Sequence, residues 1–379
     1  MLPATTDVLV VGAGPVGLAT AATLAGRGVD VTVIDQRAEG DNTSRAAVVH
    51  AHTLEVLQTI GAAEPLVARG IQAPRFTIRD RDRTLVSVRF DDLPTAYPYA
   101  LMVPQTVTEE VLHDRLTAAG GRVLRPYEVV GLDGDTVTLA GGDTIRARYV
   151  VGADGMRSTV RRLAGIEFGA DEGGESFALA DVRVEGDLPR DEVILFFSRS
   201  GMLVWAPLPD GSVRIVAEID DAPEHPDAAF VQGLLDSRGP ASRPQRVTEV
   251  VWGSRFRVHH RVAERFRAGR VLLAGDAGHV HSPAGGQGMN LGLHDAVALG
   301  NALADVLSGA PESTLDAYAA ARRPVAREVV GFARQLTWLA TLAGPLRPIR
   351  NAVLGTAFRL PPARRRLALR LSGLVFRPR

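Results

Sequence analysis

Residues 7–37 read DVLVVGAGPVGLATAATLAGRGVDVTVIDQR and contain the strongest fold signal in the sequence. An apolar run at 8–11 leads into a glycine-rich turn, an alanine-rich helical segment and a second apolar run at 29–34. Asp35 stands directly after the second run. Strand, glycine-rich turn, helix, strand and acid, in that order, form the pattern of a Rossmann-type nucleotide-binding unit. The sequence therefore predicts an α/β fold built on a parallel sheet.

Each polar or glycine position in this unit has a predicted task. Gly12 allows the tight turn, Gly14 lets the backbone approach a pyrophosphate at the helix N-terminus, and Gly17 lets the helix pack closely on the strand. Asp35 is placed to accept hydrogen bonds from a ribose diol. The other residues predicted to line the nucleotide are Pro15, Val16, Gln36 and Arg37. The alternative is a glycine-rich turn that binds no ligand.

Two later stretches repeat the motif of a strand end followed by glycine and aspartate. Residues 144–165, TIRARYVVGADGMRSTVRRLAG, end an apolar run at Val151 and then present Asp154. Residues 270–290, RVLLAGDAGHVHSPAGGQGMN, end an apolar run at Leu273 and then present Asp276. A single nucleotide head does not need three such places, whereas a long, two-headed cofactor such as FAD does. The sequence therefore predicts FAD as the cofactor.

The three motifs stand in the order found in the class A flavoprotein monooxygenases, the family of para-hydroxybenzoate hydroxylase. The chain resembles this family over roughly residues 5 to 330, through GAGPVG at Gly12, GADGMRS at Gly152 and GDAGHVHSPAGGQGMN at Gly275. The resemblance implies that Asp276 accepts a hydrogen bond from the ribityl chain of FAD and that Pro283 shapes the turn beside the flavin ring. It also implies a row of backbone N–H groups facing that ring, from Gly286, Gln287, Gly288, Met289 and Asn290.

Three further cofactor contacts follow from the same resemblance. Arg45 is expected over the pyrophosphate and near the ring, Gln105 beside the flavin at a strand–helix junction, and Val129 against the adenine through its backbone. A surface salt bridge is the alternative for Arg45, and a helix cap is the alternative for Gln105. His52 departs from the family, which often has Arg before the TLE sequence at 53–55.

Residues 178–251 alternate apolar and polar side chains, which is typical of antiparallel strands. A shorter strand pair within 75–90 is expected to join them. This sheet is predicted to form the wall of a substrate pocket over the flavin. The candidate pocket residues are Leu195, Phe197, Trp205 and Pro207. Ordinary sheet core is the alternative for each of them.

The predicted fold class is thus α/β, with a Rossmann-like FAD-binding domain, an inserted antiparallel-sheet substrate domain and C-terminal helices. The FAD-binding domain is expected in three parts, 1–74, 97–177 and 252–330, and the substrate domain in two, 75–96 and 178–251. Residues 331–379 contain ten arginines and no acid, which predicts basic amphipathic helices. We expect these helices to pack against the FAD-binding domain; contact with an anionic membrane surface is the alternative.

The amino-acid composition excludes several kinds of catalytic and metal sites. The 379 residues include no Cys and no Lys, and all 43 basic residues are Arg, against 43 acids. Disulfides, thiolate metal sites, thiol catalysis and Schiff-base chemistry are therefore excluded, and no metal site is predicted. The zero formal charge indicates no nucleic-acid partner. With neither a long apolar segment nor a signal sequence, a cytoplasmic protein is expected.

A single dinucleotide fingerprint, used by FAD, leaves NAD(P)H to bind transiently. The resemblance implies that the reduced flavin reacts with O₂ to give a C4a-hydroperoxide, which hydroxylates an aromatic or polyketide-like small molecule. His259 or His260 could deprotonate a phenol, although a structural histidine is the alternative. Epoxidation, Baeyer–Villiger oxidation or plain oxidation of such substrates stays open, as does a non-catalytic flavin-binding partner protein.

Overall fold

The computed structural model describes residues 2–40, 46–170, 174–283, 285–342 and 346–377. Its strands are β1 (Thr5–Val11), β2 (Val31–Ile34), β3 (Val48–Val49), β4 (Ile71–Ala73), β5 (Arg75–Asp80), β6 (Arg83–Arg89), β7 (Ala100–Met102), β8 (Val123–Leu124), β9 (Val129–Asp133), β10 (Thr136–Leu139), β11 (Thr144–Gly152), β12 (Ser176–Glu185), β13 (Glu192–Ser198), β14 (Gly201–Pro207), β15 (Val213–Glu218), β16 (Arg246–Arg257), β17 (Arg261–Val262), β18 (Arg267–Ala268), β19 (Val271–Leu273) and β20 (His279–Val280).

Its α-helices are α1 (Pro15–Gly26), α2 (Ala51–Gln58), α3 (Ala63–Arg69), α4 (Gln105–Ala118), α5 (Thr159–Leu163), α6 (Ala228–Arg238), α7 (Gly288–Leu307), α8 (Ser313–Thr341), α9 (Leu346–Ala357) and α10 (Pro361–Leu371). Short 3₁₀ turns lie at Gly275–Ala277 and Leu374–Phe376. Within the described ranges, none of these helices is long and apolar enough to cross a bilayer.

The first sheet has the strand order β18-β19-β11-β1-β2-β8, with β9 and β10 attached beside β11. Strands β19, β11, β1, β2 and β8 run parallel. Val8, Leu9 and Val10 of β1 are fully buried, because helices or loops cover both faces of a central parallel strand. Small side chains let α1 approach α7, since a Cβ on Gly300 would lie 2.7 Å from Thr23. The predicted Rossmann-like unit is confirmed.

The second sheet has the order β16-β12-β15-β14-β13-β5-β6. Neighbouring strands are antiparallel except β13 and β5, which pair in parallel. The sheet continues to Arg257, beyond the alternating segment recognised in the sequence. Helix α6 and the strand pair β5–β6 both pack into this unit.

Each face of the second sheet packs against a different partner. The outer face, with Ile194, Phe196 and Leu203, packs against Leu234 and Leu235 of α6. The inner face packs against apolar residues of the nucleotide-binding side and of the C-terminal helices. Its main members are Phe177, Leu179, Leu195, Phe197, Met202 and Val216. We call this second set the inner face below.

The C-terminal helices lie elsewhere than expected. Helices α9 and α10 contact β6 of the second sheet, and Leu354 and Leu371 join the apolar cluster of the inner face. The expectation that they pack mainly against the FAD-binding domain is therefore wrong. The physical reason is the apolar inner face itself, which needs a cover along its β5–β6 side. Contacts with the first domain lie at the end of α8, where the Thr337 and Ser282 hydroxyls are 2.7 Å apart, and around the end of α10. There the Leu371 carbonyl accepts a hydrogen bond from Gln287 at 3.0 Å, and the Ser372 carbonyl accepts one from the His52 N–H at 3.1 Å.

Candidate functional site

Four parallel strands of the first sheet end at the same level. Val11 pairs with both Ile34 and Gly152, and Gly152 pairs with Leu273. Carboxyl ends of parallel strands form the edge where ligands bind in open α/β sheets. The residues that follow these ends are Gly12, Asp35, Asp154 and Asp276, so one edge carries all three sequence motifs.

The fingerprint turn has the packing that its glycines suggest. Gly12 has φ +102° and lies so close to the 152–155 turn that a Cβ on it would come 2.4 Å from the Ala153 carbonyl oxygen. A Cβ on Gly17 would come 1.9 Å from the Gly12 carbonyl oxygen. A Cβ on Gly14 would meet nothing within 4 Å, and no side chain caps α1 there. The N-terminus of α1 is therefore open to an anion.

Asp35 supports the turn as well as facing the edge. Its Oδ2 accepts a hydrogen bond from the Ala13 N–H at 2.8 Å, and its Oδ1 accepts one from the Arg37 N–H at 2.9 Å. The Arg125 guanidinium lies 3.2 Å from Oδ1. Each carboxylate oxygen has a second lone pair, so acceptance of ribose hydroxyls remains chemically possible. Gln36 and Arg37 follow in an exposed bend.

Asp154 has one satisfied and one unsatisfied oxygen. Its Oδ2 accepts hydrogen bonds from the Thr159 and Val160 N–H groups at 2.8 and 3.1 Å, which caps the start of α5. Its Oδ1 is buried and has no hydrogen-bond partner among the residues that the structure describes. Burial raises the pKa of this carboxyl above its usual value. A buried acceptor without a donor is costly unless a ligand supplies one.

Asp276 is exposed on the 3₁₀ turn that follows β19. Gly275 before it has φ +63°, and a Cβ there would come 2.7 Å from Val16 at the start of α1. The second and third motifs therefore both pack directly against the fingerprint. An open helix terminus, a buried acceptor without a donor and an exposed carboxylate along one edge fit a long cofactor that carries phosphates and hydroxyls.

Comparison with known proteins agrees with this geometry. The FAD binding domain family matches residues 5–333. The chain belongs to the class A FAD-dependent aromatic monooxygenases. The 6-methylpretetramide 4-monooxygenase of Streptomyces rimosus is 40% identical over 96% of this chain and 68% of its own length. The predicted family, fold class and enzyme class are confirmed.

Two solved structures extend the likeness to three dimensions. The anhydrotetracycline hydroxylase of Streptomyces rimosus superposes with a TM-score of 0.80 at 35% identity, covering 98% of this chain and 76% of that one. The p-nitrophenol 4-monooxygenase of Pseudomonas putida superposes with a TM-score of 0.87 at 28% identity, with both chains fully covered.

In this monooxygenase, the described residues of the glycine-rich segment before α7 form a turn that packs closely on β3. The Gly286 N–H donates to the Pro283 carbonyl at 2.9 Å, and Gly285 and Gly286 have φ of +82° and +62°. A Cβ on Gly286 would come 2.3 Å from Val48, so only glycine fits there. Gly288 begins α7, and Met289 packs partly against the core of the first domain.

Asn290 and His50 hold this loop to β3. The Asn290 amide donates to the carbonyls of Gly286 and Val48 at 2.7 and 2.9 Å and accepts from the His50 N–H at 2.8 Å. His50 Nε2 lies 2.9 Å from the Gly285 carbonyl oxygen. Burial lowers the pKa of His50 to about 4, so at neutral pH the ring is neutral and donates there. Sequence reasoning overlooked His50, which carries no local signal beyond its position after β3.

Gln105 begins α4 and faces the chain that follows Arg45. Its N–H donates to the Ala46 carbonyl at 3.0 Å, and its Oε1 accepts from the Ala46 N–H at 3.4 Å. Arg45 itself lies outside the described residues, so its predicted place over the pyrophosphate stays a prediction. Val129 is buried at the start of β9 on the far side of β11. Its contact with adenine also remains a prediction.

The predicted pocket residues divide between the two faces of the second sheet. Leu195 and Phe197 lie on the inner face, 3% and 1% exposed. Trp205 lies on the outer face, where its indole N–H donates to the Pro189 carbonyl at 3.3 Å. Pro207 pairs with Val213 of the outer face. The pocket role predicted for Trp205 and Pro207 is therefore wrong, because side chains alternate along β14.

The inner face carries one charged pair that the sequence reasoning missed. Arg214 is 2% exposed, and its Nε and Nη2 donate to both oxygens of Asp181 at 2.7 Å. Its Nη1 donates to the Ala46 carbonyl at 3.0 Å, which ties the second sheet to the residue after Arg45. A signal was available, because Arg214 interrupts an apolar strand at an inward position.

The candidate histidine bases differ in position. His260 is buried, and its Nε2 lies 3.6 Å from a Glu175 carboxylate oxygen at the start of β12. His259 precedes it in the same connection between β16 and β17.

His52, where the family often has Arg, is buried against His294 with ring centroids 4.5 Å apart. The Nδ1 atom of His52 lies 3.3 Å from the Glu55 carboxylate. His52 is therefore engaged with α2 and α7.

Proposed function

We propose that this monooxygenase uses NAD(P)H and O₂ to hydroxylate an aromatic or polyketide-like small molecule. One observation carries the proposal. The apolar inner face of the second sheet and Val48, which touches the glycine-rich loop, belong to the same apolar cluster. A flat, apolar substrate would therefore lie between the inner face and a flavin held along that loop. The names of the relatives, which include tetracycline-type and nitrophenol hydroxylases, support this substrate class.

The residues that would hold FAD divide by the part of the cofactor they suit. The open N-terminus of α1 at Gly14 suits the pyrophosphate, and Asp35 suits the ribose of the adenosine. Asp154 and Asp276 offer acceptors to hydroxyl groups farther along. The N-terminus of α7 carries partial positive charge and would favour negative charge on a flavin ring bound beside it. When bound, FAD supplies the redox chemistry.

The protein's own part is to position reactants and exclude water. The chain has no Cys and no Lys, so it offers neither a thiol nor an amine nucleophile. Phe177, Leu179 and Val216 line the inner face with apolar surface that would keep water away from a bound flavin ring. Because the fingerprint is used by FAD, we propose that NAD(P)H binds transiently from solvent and leaves after hydride transfer.

The test is oxygen labelling in the presence of NADPH and isotopically heavy O₂. A panel of monocyclic phenols and polycyclic phenolic polyketides is incubated with the FAD-loaded protein, with FAD-free protein as the control. We expect at least one product that contains a single labelled oxygen atom and forms only with FAD. Consumption of NADPH to hydrogen peroxide alone, for every compound, would contradict the proposal and indicate an oxidase. Product structure by NMR separates hydroxylation from epoxidation or ring insertion.

A further inference from the structure

The two residues on either side of Asp276 are each held by a buried charged side chain. The Gly275 N–H donates to Asp295 Oδ2 at 3.3 Å. The Ala277 carbonyl accepts a hydrogen bond from Arg161 Nη1 at 3.0 Å. Asp295 is fully buried on α7, and Arg161 is 6% exposed on α5. Two separate helices therefore clamp the turn that presents Asp276.

The Asp295 carboxylate is held in turn by two further side chains. His279 Nε2 lies 2.6 Å from its Oδ2, and Arg322 Nε donates to its Oδ1 at 2.6 Å. Charged groups buried this completely lose much solvation, and apolar side chains of similar volume are often as stable. Fold stability alone therefore does not require this cluster. An apolar replacement would, however, remove the specific hydrogen-bond geometry around Asp295.

Arg161 is fixed as firmly as Asp295. Its guanidinium lies 4.0 Å above the ring of Phe168, and its Nη2 donates to the Met156 carbonyl at 3.1 Å. The flat guanidinium thus has one face on an aromatic ring and its edge on two carbonyls. Rotation of this side chain is restricted, so the Ala277 carbonyl has a fixed donor.

We propose that Asp295 and Arg161 are positioning residues that aim the Asp276 carboxylate at FAD. The inference rests on the proposed contact between Asp276 and the cofactor. Glycine at position 275 permits many backbone conformations. Without the supports from Asp295 and Arg161, the Asp276 carboxylate would therefore lose more conformational entropy when it binds FAD. A turn held at both flanking peptides presents the acceptor in place. Neither residue needs to touch the cofactor for this effect.

The experiment measures the dissociation constant of FAD for Asp295→Asn, Asp276→Ala and the double variant. We expect Asp295→Asn to weaken FAD binding roughly ten- to hundredfold, the range of one hydrogen bond to a charged group. We also expect the double variant to bind no more weakly than Asp276→Ala, because Asp295 acts through Asp276. The matched control is Asp305→Asn on the same helix, where the exposed Asp305 pairs with Arg27 at 2.9 Å.

Two results would overturn the inference while leaving the role of Asp276 intact. One is unchanged FAD affinity in Asp295→Asn when Asp276→Ala binds weakly. The other is additive losses in the double variant, which would show a general structural effect. Unchanged affinity in Asp276→Ala would instead remove the proposed FAD contact and this inference with it. If circular dichroism shows that the Asp295→Asn apoprotein does not fold, Arg161→Met replaces it in the double-mutant cycle with Asp276→Ala, and the same outcomes are expected.

Discussion

At the residue scale, the three fingerprint glycines have separable tasks. Gly17 is packed against the Gly12 carbonyl, whereas Gly14 faces open space at the start of α1. Gly14 has φ −77°, a value that any residue adopts, so backbone strain does not demand glycine there. Close approach of a phosphate is the remaining reason for glycine at this position.

This difference predicts opposite outcomes for two alanine substitutions. Gly14→Ala should leave the unfolding midpoint of the apoprotein unchanged and weaken FAD binding, because its methyl group occupies the space for the pyrophosphate. Gly17→Ala should lower the free energy of unfolding by about 1–3 kcal/mol through overpacking. Thermal unfolding and FAD titration of both variants check this. Equal loss of stability in the two variants would contradict the assigned open face.

The acidic residues of the site can be predicted from the sequence, but the side chains that hold them in place cannot. Asp35, Asp154 and Asp276 each follow an apolar run closely, so strand ends identify them in the sequence. Asp295 meets partners 16 and 27 residues away in the chain, a spacing with no local signature. Only the packing of α7 and α8 against the third motif brings these groups together.

At the element scale, the second sheet shows what alternation can and cannot predict. Period two identifies the strands, and the pairing of Leu195 with Val204 sets which residues share a face. The sequence does not say which face meets the flavin side, since strands such as β13 carry apolar side chains on both faces. For that reason the alternation suggests a pocket role for Trp205, whereas Trp205 lies on the outer face and is covered by α6.

Phe197 and Trp205 offer a matched test of the two faces, since both are 1% exposed. Truncation of either residue to alanine should cost about 3–5 kcal/mol of unfolding free energy. Only Phe197→Ala should change the KM or the position of hydroxylation, because only its ring lies on the inner face. Kinetics of both variants on one substrate provide the measurement. A change of KM in Trp205→Ala as large as that in Phe197→Ala would contradict the assigned faces.

The ends of β12 and β15 predict a pH effect on stability. Burial and the neighbouring Glu175 raise the pKa of Glu218 to about 7, Asp220 adds to the rise, and Arg238 opposes it. The folded state therefore holds a proton that the unfolded state releases near pH 4.5, and stability falls as pH rises between those values. As the pH rises from 4.5 to 7, the free energy of unfolding of Glu218→Gln should increase relative to that of the parent protein, by about 1 kcal/mol after solvent screening.

Denaturant unfolding of the parent protein and of Glu218→Gln at pH 5 and pH 7.5 measures this difference. The variant Asp305→Asn, which removes an exposed carboxylate on α7, serves as the comparison. A stability gap between Glu218→Gln and the parent protein that stays constant with pH would show that Glu218 titrates normally.

At the scale of the whole molecule, the C-terminal helices contact both the inner face of the second sheet and the glycine-rich loop. Arg350 of α9 donates to the Phe197 carbonyl at 3.1 Å, and its guanidinium lies 5.0 Å from the Phe197 ring centroid. The Gln287 side chain is hydrogen-bonded to the end of α10, and the Arg377 guanidinium pairs with Glu55. The glycine-rich loop is thus held by β3 and by the end of α10, so the flavin rather than the loop is expected to move.

Such a movement predicts that substrate accelerates flavin reduction. The flavin must meet NAD(P)H where hydride can reach it and then react where water cannot, and a substrate that favours the exposed position shifts that equilibrium. Anaerobic stopped-flow reduction by NADPH, with and without a substrate found by the labelling experiment, measures the rates. Equal rates would contradict substrate control of the flavin while leaving the oxygenation unaffected.

The four strand ends are expected to form one extended site for FAD. Equilibrium titration of the apoprotein with FAD, and separately with FMN, tests this expectation. We predict one FAD per chain and much weaker binding of FMN, because Asp35 and the α1 N-terminus would have no adenosine half to hold. Equal affinity for FMN and FAD, or no saturable binding of FAD, would contradict the claim.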